Sequence, residues 1–249
     1  MKKKLRMGAN NFTSTTEFIM LGLSRDPNTR ILLFVLFLLM YIFILVGNLG
    51  VIMLVRLDSN LHTPMYFFLS HLSSAEICFV TTNIPQMLYQ LLTGNGRLPV
   101  IRCELQMYTT LSLGCIEAFL LGVMAYDRYL AICRPLVYVT IMGKWRQFQL
   151  ASACWVAGFS IAAICASITF QHTFCRPCCI NHFVCEIPMV LKMACDDVRT
   201  TELIIVIFAG IVVLGPFLLI FISYGLILFS VLQMRSASGL RKAFSTKKL

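Results

Sequence analysis

The chain has 249 residues, of which 58% are hydrophobic and 13% charged, with a formal net charge of +10. Soluble globular domains carry about 25% charged and about 45–50% apolar residues, so the composition excludes a water-soluble enzyme and suits a chain whose outer face meets lipid. The basic residues fall in short clusters between apolar stretches and form no stripe interleaved with aromatics, which argues for membrane topology and against a nucleic-acid partner.

Residues 1–30 begin MKKKLRMGANNFTSTTEF, with a polar segment where a secretory signal would place its apolar core, so the first span is expected to serve as its own signal. The tail holds the single N-x-[ST] sequon, Asn11-Phe12-Thr13, and Asn11 is the expected glycan site. A spanning helix needs about 20 mostly apolar residues. Five stretches qualify: Ile31 to Val55, Pro64 to Leu92, Glu104 to Ile132, Phe148 to Phe170 and Thr201 to Gln233. Pro64 suits a first helical turn, whereas Pro85 and the Gly215-Pro216 pair lie inside spans and predict kinks.

Loop charges set the orientation. With the N-terminus outside, the inner side holds Arg56, Arg128, Arg134, Lys144, Arg146, Arg235, Arg241, Lys242, Lys247 and Lys248. The outer loops hold Arg97, Arg102, Arg176, Lys192 and Arg199, with Arg25 and Arg30 ahead of the first span. The excess favours an extracellular N-terminal tail, a bundle over 31–233, a long outer loop over 171–200 and a cytoplasmic tail over 234–249.

Of the 11 cysteines, Cys78, Cys115, Cys133, Cys154 and Cys165 lie in or beside apolar spans and read as small buried hydrophobes. Cys103, Cys175, Cys178, Cys179, Cys185 and Cys195 fall on the outer face, where disulfides are the default. Cys175-x2-Cys178 resembles half a zinc knuckle, but no second pair follows at matching spacing. His182-x2-Cys185-Glu186 is the alternative of a soft-metal site. No resident metal or cofactor is expected.

Three longer strings carry a resemblance: LHTPMYFFLSHLSSAEIC from Leu61, MAYDRYLAICRPLVY from Met124 and RKAFST from Arg241. Together they resemble vertebrate olfactory receptors, a branch of the rhodopsin-like G-protein-coupled receptors, and the HTPMYFFL string resembles the tetrapod-type class. Gly47-Asn48, Ser223-Tyr224 and INHFVCEIP followed by Cys195 support it, so the likeness runs from Thr16 to Thr246. Two departures stand out. Arg134 occupies a position that is usually His in the family, and after KAFST the family continues into two further spans, whereas this sequence reads Lys247-Lys248-Leu249. The expected fold is therefore an all-α membrane protein of seven-helix receptor architecture with five spans encoded here. Deletion, an early stop or a frameshift would each give that ending.

The resemblance implies residue roles. Asp127-Arg128-Tyr129 and Tyr224 form the G-protein-coupling face, with Arg128 paired to Asp127 at rest and turned toward the G protein, near Tyr224, when the sixth helix swings out. Without the string, Arg128 would be a snorkelling side chain at a helix end. Glu76 and Glu117 match the sodium-site pair of rhodopsin-like receptors, with a cation or shared proton between them. The alternative is that both are protonated and hydrogen-bonded. A small volatile odorant would sit beneath the long loop, against Thr110, Leu111, Gly114 and Cys115 on one stripe of the third span. The resemblance pairs Cys103 with Cys185 and Cys175 with Cys195.

The expected partners are an odorant, a heterotrimeric stimulatory G protein once the sixth and seventh helices are supplied, and the lipid bilayer. The expected location is the plasma membrane, with endoplasmic-reticulum retention for a truncated chain. A non-signalling fragment that associates with intact receptors is the alternative function. A transporter or channel is weaker, because no repeated half, paired broken helices or rings of charge occur. Enzymatic chemistry has no motif to rest on, since no HExxH string or P-loop is present.

Overall fold

A computed structural model describes residues 17–20, 22, 26–174, 179–180 and 182–245. Local chemistry starts and stops the helices. In α1 (Pro27–Leu57), Asp26 caps the first turn by accepting hydrogen bonds from the Thr29 amide at 2.8 Å and its hydroxyl at 2.7 Å, with Pro27 at the first position, where its missing N–H costs nothing. Those bonds hold the Asp26 carboxyl below the ordinary carboxylate range. α2 (Pro64–Thr93) opens on Pro64 and closes at Gly94, whose φ of 70° is the left-handed conformation that ends many helices. The Arg30 guanidinium lies over that turn and donates to the Leu91 carbonyl at 2.9 and 2.7 Å, clamping the start of α1 to the end of α2.

α3 (Val100–Cys133), α4 (Pro135–Ile141), α5 (Lys144–Phe170), α6 (Ile187–Leu191) and α7 (Arg199–Ser245) follow. The helices α1, α3, α5 and the 199–233 part of α7 are long and apolar enough to cross a membrane. α2 falls short on apolarity because it carries His71, Glu76, Asn83, Gln86 and Gln90. Its 30 residues, at about 1.5 Å each, still exceed the roughly 30 Å hydrocarbon core, and α1 and α3 flank it. α3 is the axis of the bundle, packing on α2, α5 and α7, while α1 packs mainly on α2. One core forms where α2, α3 and α5 meet, around Phe68, Ile116, Leu120 and Cys154. Gly158 lets α5 approach there: a Cβ on it would lie 2.9 Å from the Ser112 carbonyl oxygen and 2.5 Å from Ile116 Cγ1.

The other core lies at one end of the bundle, beneath a three-stranded sheet. β1 (Glu17–Met20) runs antiparallel to β2 (Arg97–Pro99) and parallel to β3 (Cys179–Ile180), with Phe18 opposite Leu98 and Ile19 opposite Cys179. Phe18 and Met20 point inward onto Leu98, Cys103, Cys185 and Val190. The tail and the two loops expected outside therefore meet at the same end.

The sequence reading missed the strands, α4 and α6, and it ended the fifth span at Gln233 where α7 continues to Ser245. The expected spans coincide with the long helices, whose ends extend beyond them by capping turns too polar to count as apolar. Both prolines expected to kink their spans lie within unbroken helices. Each removes one ladder bond, to the carbonyls of Thr81 and Val212, and the helix continues past it.

Candidate ligand cavity and coupling face

Cys103, in the first turn of α3, is disulfide-bonded to Cys185, which draws the segment from Cys185 to α6 across the open end between α3, α5 and α7. Beneath it lies a cavity of about 470 Å³. α3 contributes Met107, Thr110, Leu111, Gly114, Cys115 and Ala118, α5 contributes Ile161 and Cys165, and α7 contributes Ile205, Phe208 and Val212 among others. Cys185, Glu186, Ile187 and Pro188 form the roof. Thr110, Leu111, Gly114 and Cys115, the stripe singled out from sequence, all line it. The α5 and α7 residues were not singled out as cavity lining, because apolar side chains on uniformly apolar helices give no periodic mark of which face turns inward.

A polar chain buttresses the wall. Asn83 Oδ1 accepts from Thr110 Oγ1 at 2.9 Å and from Gln106 Nε2 at 3.3 Å, and Gln106 Oε1 accepts from the Cys185 backbone amide at 3.3 Å. Asn83 and Gln106 are buried, so these bonds offset a desolvation cost that would otherwise stand uncompensated. The network links α2, the α3 wall and the roof at its disulfide.

Deeper in the bundle the carboxyl groups of Glu76 and Glu117 lie side by side, and Glu117 Oε1 has no hydrogen-bond partner among the described residues. At the roof end, His172 Nδ1 lies 2.6 Å from Asp196 Oδ2 and its Nε2 2.8 Å from Thr201 Oγ1, tying the loops to the start of α7. The His172 ring holds the Asp196 carboxyl below its ordinary range. Cys185 is oxidised, so the His182-x2-Cys185-Glu186 string offers no thiolate to a soft metal. Cys195 is disulfide-bonded as well. Its expected partner Cys175, together with Cys178 and the glycan site Asn11, lies outside the described residues.

At the opposite end, Asp127 is buried and accepts a hydrogen bond from the Tyr138 hydroxyl of α4 at 3.0 Å. Burial first, and then this bond, push the Tyr138 phenol up to about 12, so it remains a donor. Arg128, expected to pair with Asp127 at rest, is exposed and forms no contact ion pair among the described residues. Tyr129 is half-buried beside it, and Tyr224 is 55% exposed on α7. Cys133 Sγ, at the end of α3, contacts the Leu226 carbonyl of α7 at 3.8 Å.

Comparison with known proteins bears on this arrangement. The model of the 7 transmembrane receptor (rhodopsin family) matches residues 47–249. Olfactory receptor 2F1 and Olfactory receptor 5F1 of Homo sapiens are each 43% identical to the chain over 240 residues, covering 96% of it and 76% of the relative. Olfactory receptor-like protein OLF3 of Canis lupus familiaris shows the same identity and coverage. With its membrane-spanning helices and disulfide-held roof, the chain belongs to the olfactory receptors of the rhodopsin-like G-protein-coupled receptor family, multi-pass membrane proteins that are not enzymes.

Proposed function

We propose that the cavity beneath the Cys185 roof binds a small volatile odorant and that the Asp127-Arg128-Tyr129 face engages a stimulatory heterotrimeric G protein once a seven-helix bundle is complete. The proposed location is the plasma membrane, with the sheet end and Asn11 outside. The observation that carries the reading is the cavity itself, apolar on three helices, with Thr110 as a placed hydroxyl. Affinity would come from buried apolar ligand surface at about 25 cal/mol per Å². One hydrogen bond adds only about 0.5–1.5 kcal/mol net, so Thr110 would set selectivity more than strength. Sodium or a shared proton between Glu76 and Glu117 belongs to the same proposal.

The test uses this chain joined to the sixth and seventh spans of a related receptor and a panel of odorants, read as evoked cAMP. Gly114→Leu, which fills the cavity, should abolish responses while surface staining persists, and Thr110→Val should reorder the odorant ranking. Responses unchanged by both substitutions would sink the reading.

A further inference from the structure

We propose that α2 and α3 hold a second small-molecule site at the sheet end, on another face of α3 from the ligand cavity, and that it takes an acyl-chain amphiphile with an anionic headgroup. It does not depend on the odorant reading. A cavity of about 370 Å³ lies there, lined by Pro85 and Gln86 of α2 and by Arg102, Leu105, Gln106 and Thr109 of α3. The volume is within the range of about 300–1,000 Å³ usual for small-molecule sites.

Its chemistry is divided along its length. Arg102 brings a guanidinium that pairs with no carboxylate among the described residues, and the Gln86 amide has no hydrogen-bond partner among them. Below them Leu105, which is 61% exposed, and Pro85 offer an apolar flank, and the deeper Thr82 and Thr109 spend their hydroxyls on the Cys78 and Leu105 carbonyls of their own helices. Arg102 lies in the first turn of α3, so its charge sits at the end of a membrane span while Leu105 and Thr109 follow one and two turns deeper. A headgroup at Arg102 with methylenes running inward satisfies both halves. A guanidinium suits this better than a bare apolar groove, because it offers several donors in one plane to carboxylate or phosphate oxygens. An Arg that only snorkels to the interface would need no cavity beneath it.

Gln106 is shared between the two sites. Its side chain borders this cavity and bonds Asn83 and the Cys185 amide, which brace the wall and roof of the other.

The source of the headgroup is settled by two probes in membranes carrying the full chain: diazirine-bearing palmitate and diazirine-bearing phosphatidylglycerol. We expect adducts from one or both on the segments holding Pro85–Gln86 or Leu105–Thr109. Arg102→Gln should lower that labelling about tenfold, the loss of one charge-assisted contact, and Arg102→Lys should retain most of it. Thr109→Trp, which fills the cavity and keeps the charge, should abolish it. Formation of the Cys103–Cys185 bridge, read by non-reducing peptide mapping, reports that each variant is folded. The proposal is overturned if the wild-type chain takes no adduct in these segments, if palmitate methyl ester labels them equally, or if folded Arg102→Gln and Thr109→Trp label like wild type.

Discussion

Asn83 ties α2 to two residues of α3 through one carboxamide oxygen, and its removal is the sharpest single-residue test of the cavity wall. Asn83→Leu leaves the Gln106 amide and the Thr110 hydroxyl without their shared acceptor, at an expected cost of about 1–3 kcal/mol. Purified chain in detergent should show a lower apparent Tm, with Asn83→Asp, which keeps an acceptor, closer to wild type. In a double-mutant cycle Asn83→Leu and Thr110→Val should be non-additive; additive losses would show that the two do not interact. Asp196 gives a pH prediction. A carboxyl depressed in the folded state contributes stability above its ordinary range and loses it as pH falls through the depressed value. The Cys195 amide, bonded to the Thr173 carbonyl at 2.9 Å, should keep constant protection from neutral pH down to the ordinary carboxylate range and lose it progressively as pH falls through and below that range. Hydrogen exchange, corrected for its intrinsic pH dependence, measures this, and Asp196→Asn should abolish the transition. Neither network was legible in the sequence, and the same holds for the Asp127 bond to Tyr138. The sequence marks Asp127 within a motif string, but its partner lies on α4, whose position depends on how the chain turns at Arg134-Pro135. No periodicity encodes that turn.

The close approach of α3 and α5 rests on Gly158. Gly158→Ala places a Cβ against backbone at Ser112, which cannot rotate away, so the helices must separate and the core around Ile116 loosens, costing about 1–3 kcal/mol. Gly210→Ala on α7, where a Cβ meets nothing within 4 Å, is the control and should be neutral or slightly stabilising. Equal thermal stability of the two variants would remove the packing argument. Elements of this size were the most legible part of the chain. Long apolar runs and Pro64 announced the spans, since apolarity over a helix length is a local property. The strands escaped because β1 has four residues and β3 two, too short for alternation to register. Their pairing depends on Phe18 and Met20 reaching a core built from α3 and the 185–191 segment. The stripe on α3 was read correctly as one face of a helix, but which neighbours close the cavity follows from packing that no single helix displays.

α3 packs against α2, α5 and α7, yet no residue of α1 is buried, and α7 turns Phe217, Phe221 and Phe229 outward at 59%, 69% and 66% exposure. The family to which the chain belongs has seven transmembrane helices, and the 249 residues form five long ones. An odorant in the cavity can shift a receptor only if some element has two arrangements that it favours unequally. In the reading drawn from the family, that element is the sixth span moving away from Arg128 and Tyr224. A polypeptide of these 249 residues by itself is therefore expected to give no odorant-evoked cAMP. It is also expected to be held largely in the endoplasmic reticulum, because the Glu76–Glu117 pair and the Val212 carbonyl left without its ladder bond at Pro216 would lack the cover of further helices, and an unsatisfied polar group facing lipid costs several kcal/mol. Co-expression of a separate segment carrying the sixth and seventh spans of a related receptor should raise surface staining, and cAMP should follow only with Arg128 intact. Arg128→Ala in the same pair should leave surface staining unchanged, which separates coupling from assembly. Odorant-evoked cAMP from the 249-residue polypeptide alone, equal to that of the complemented pair, would refute the prediction.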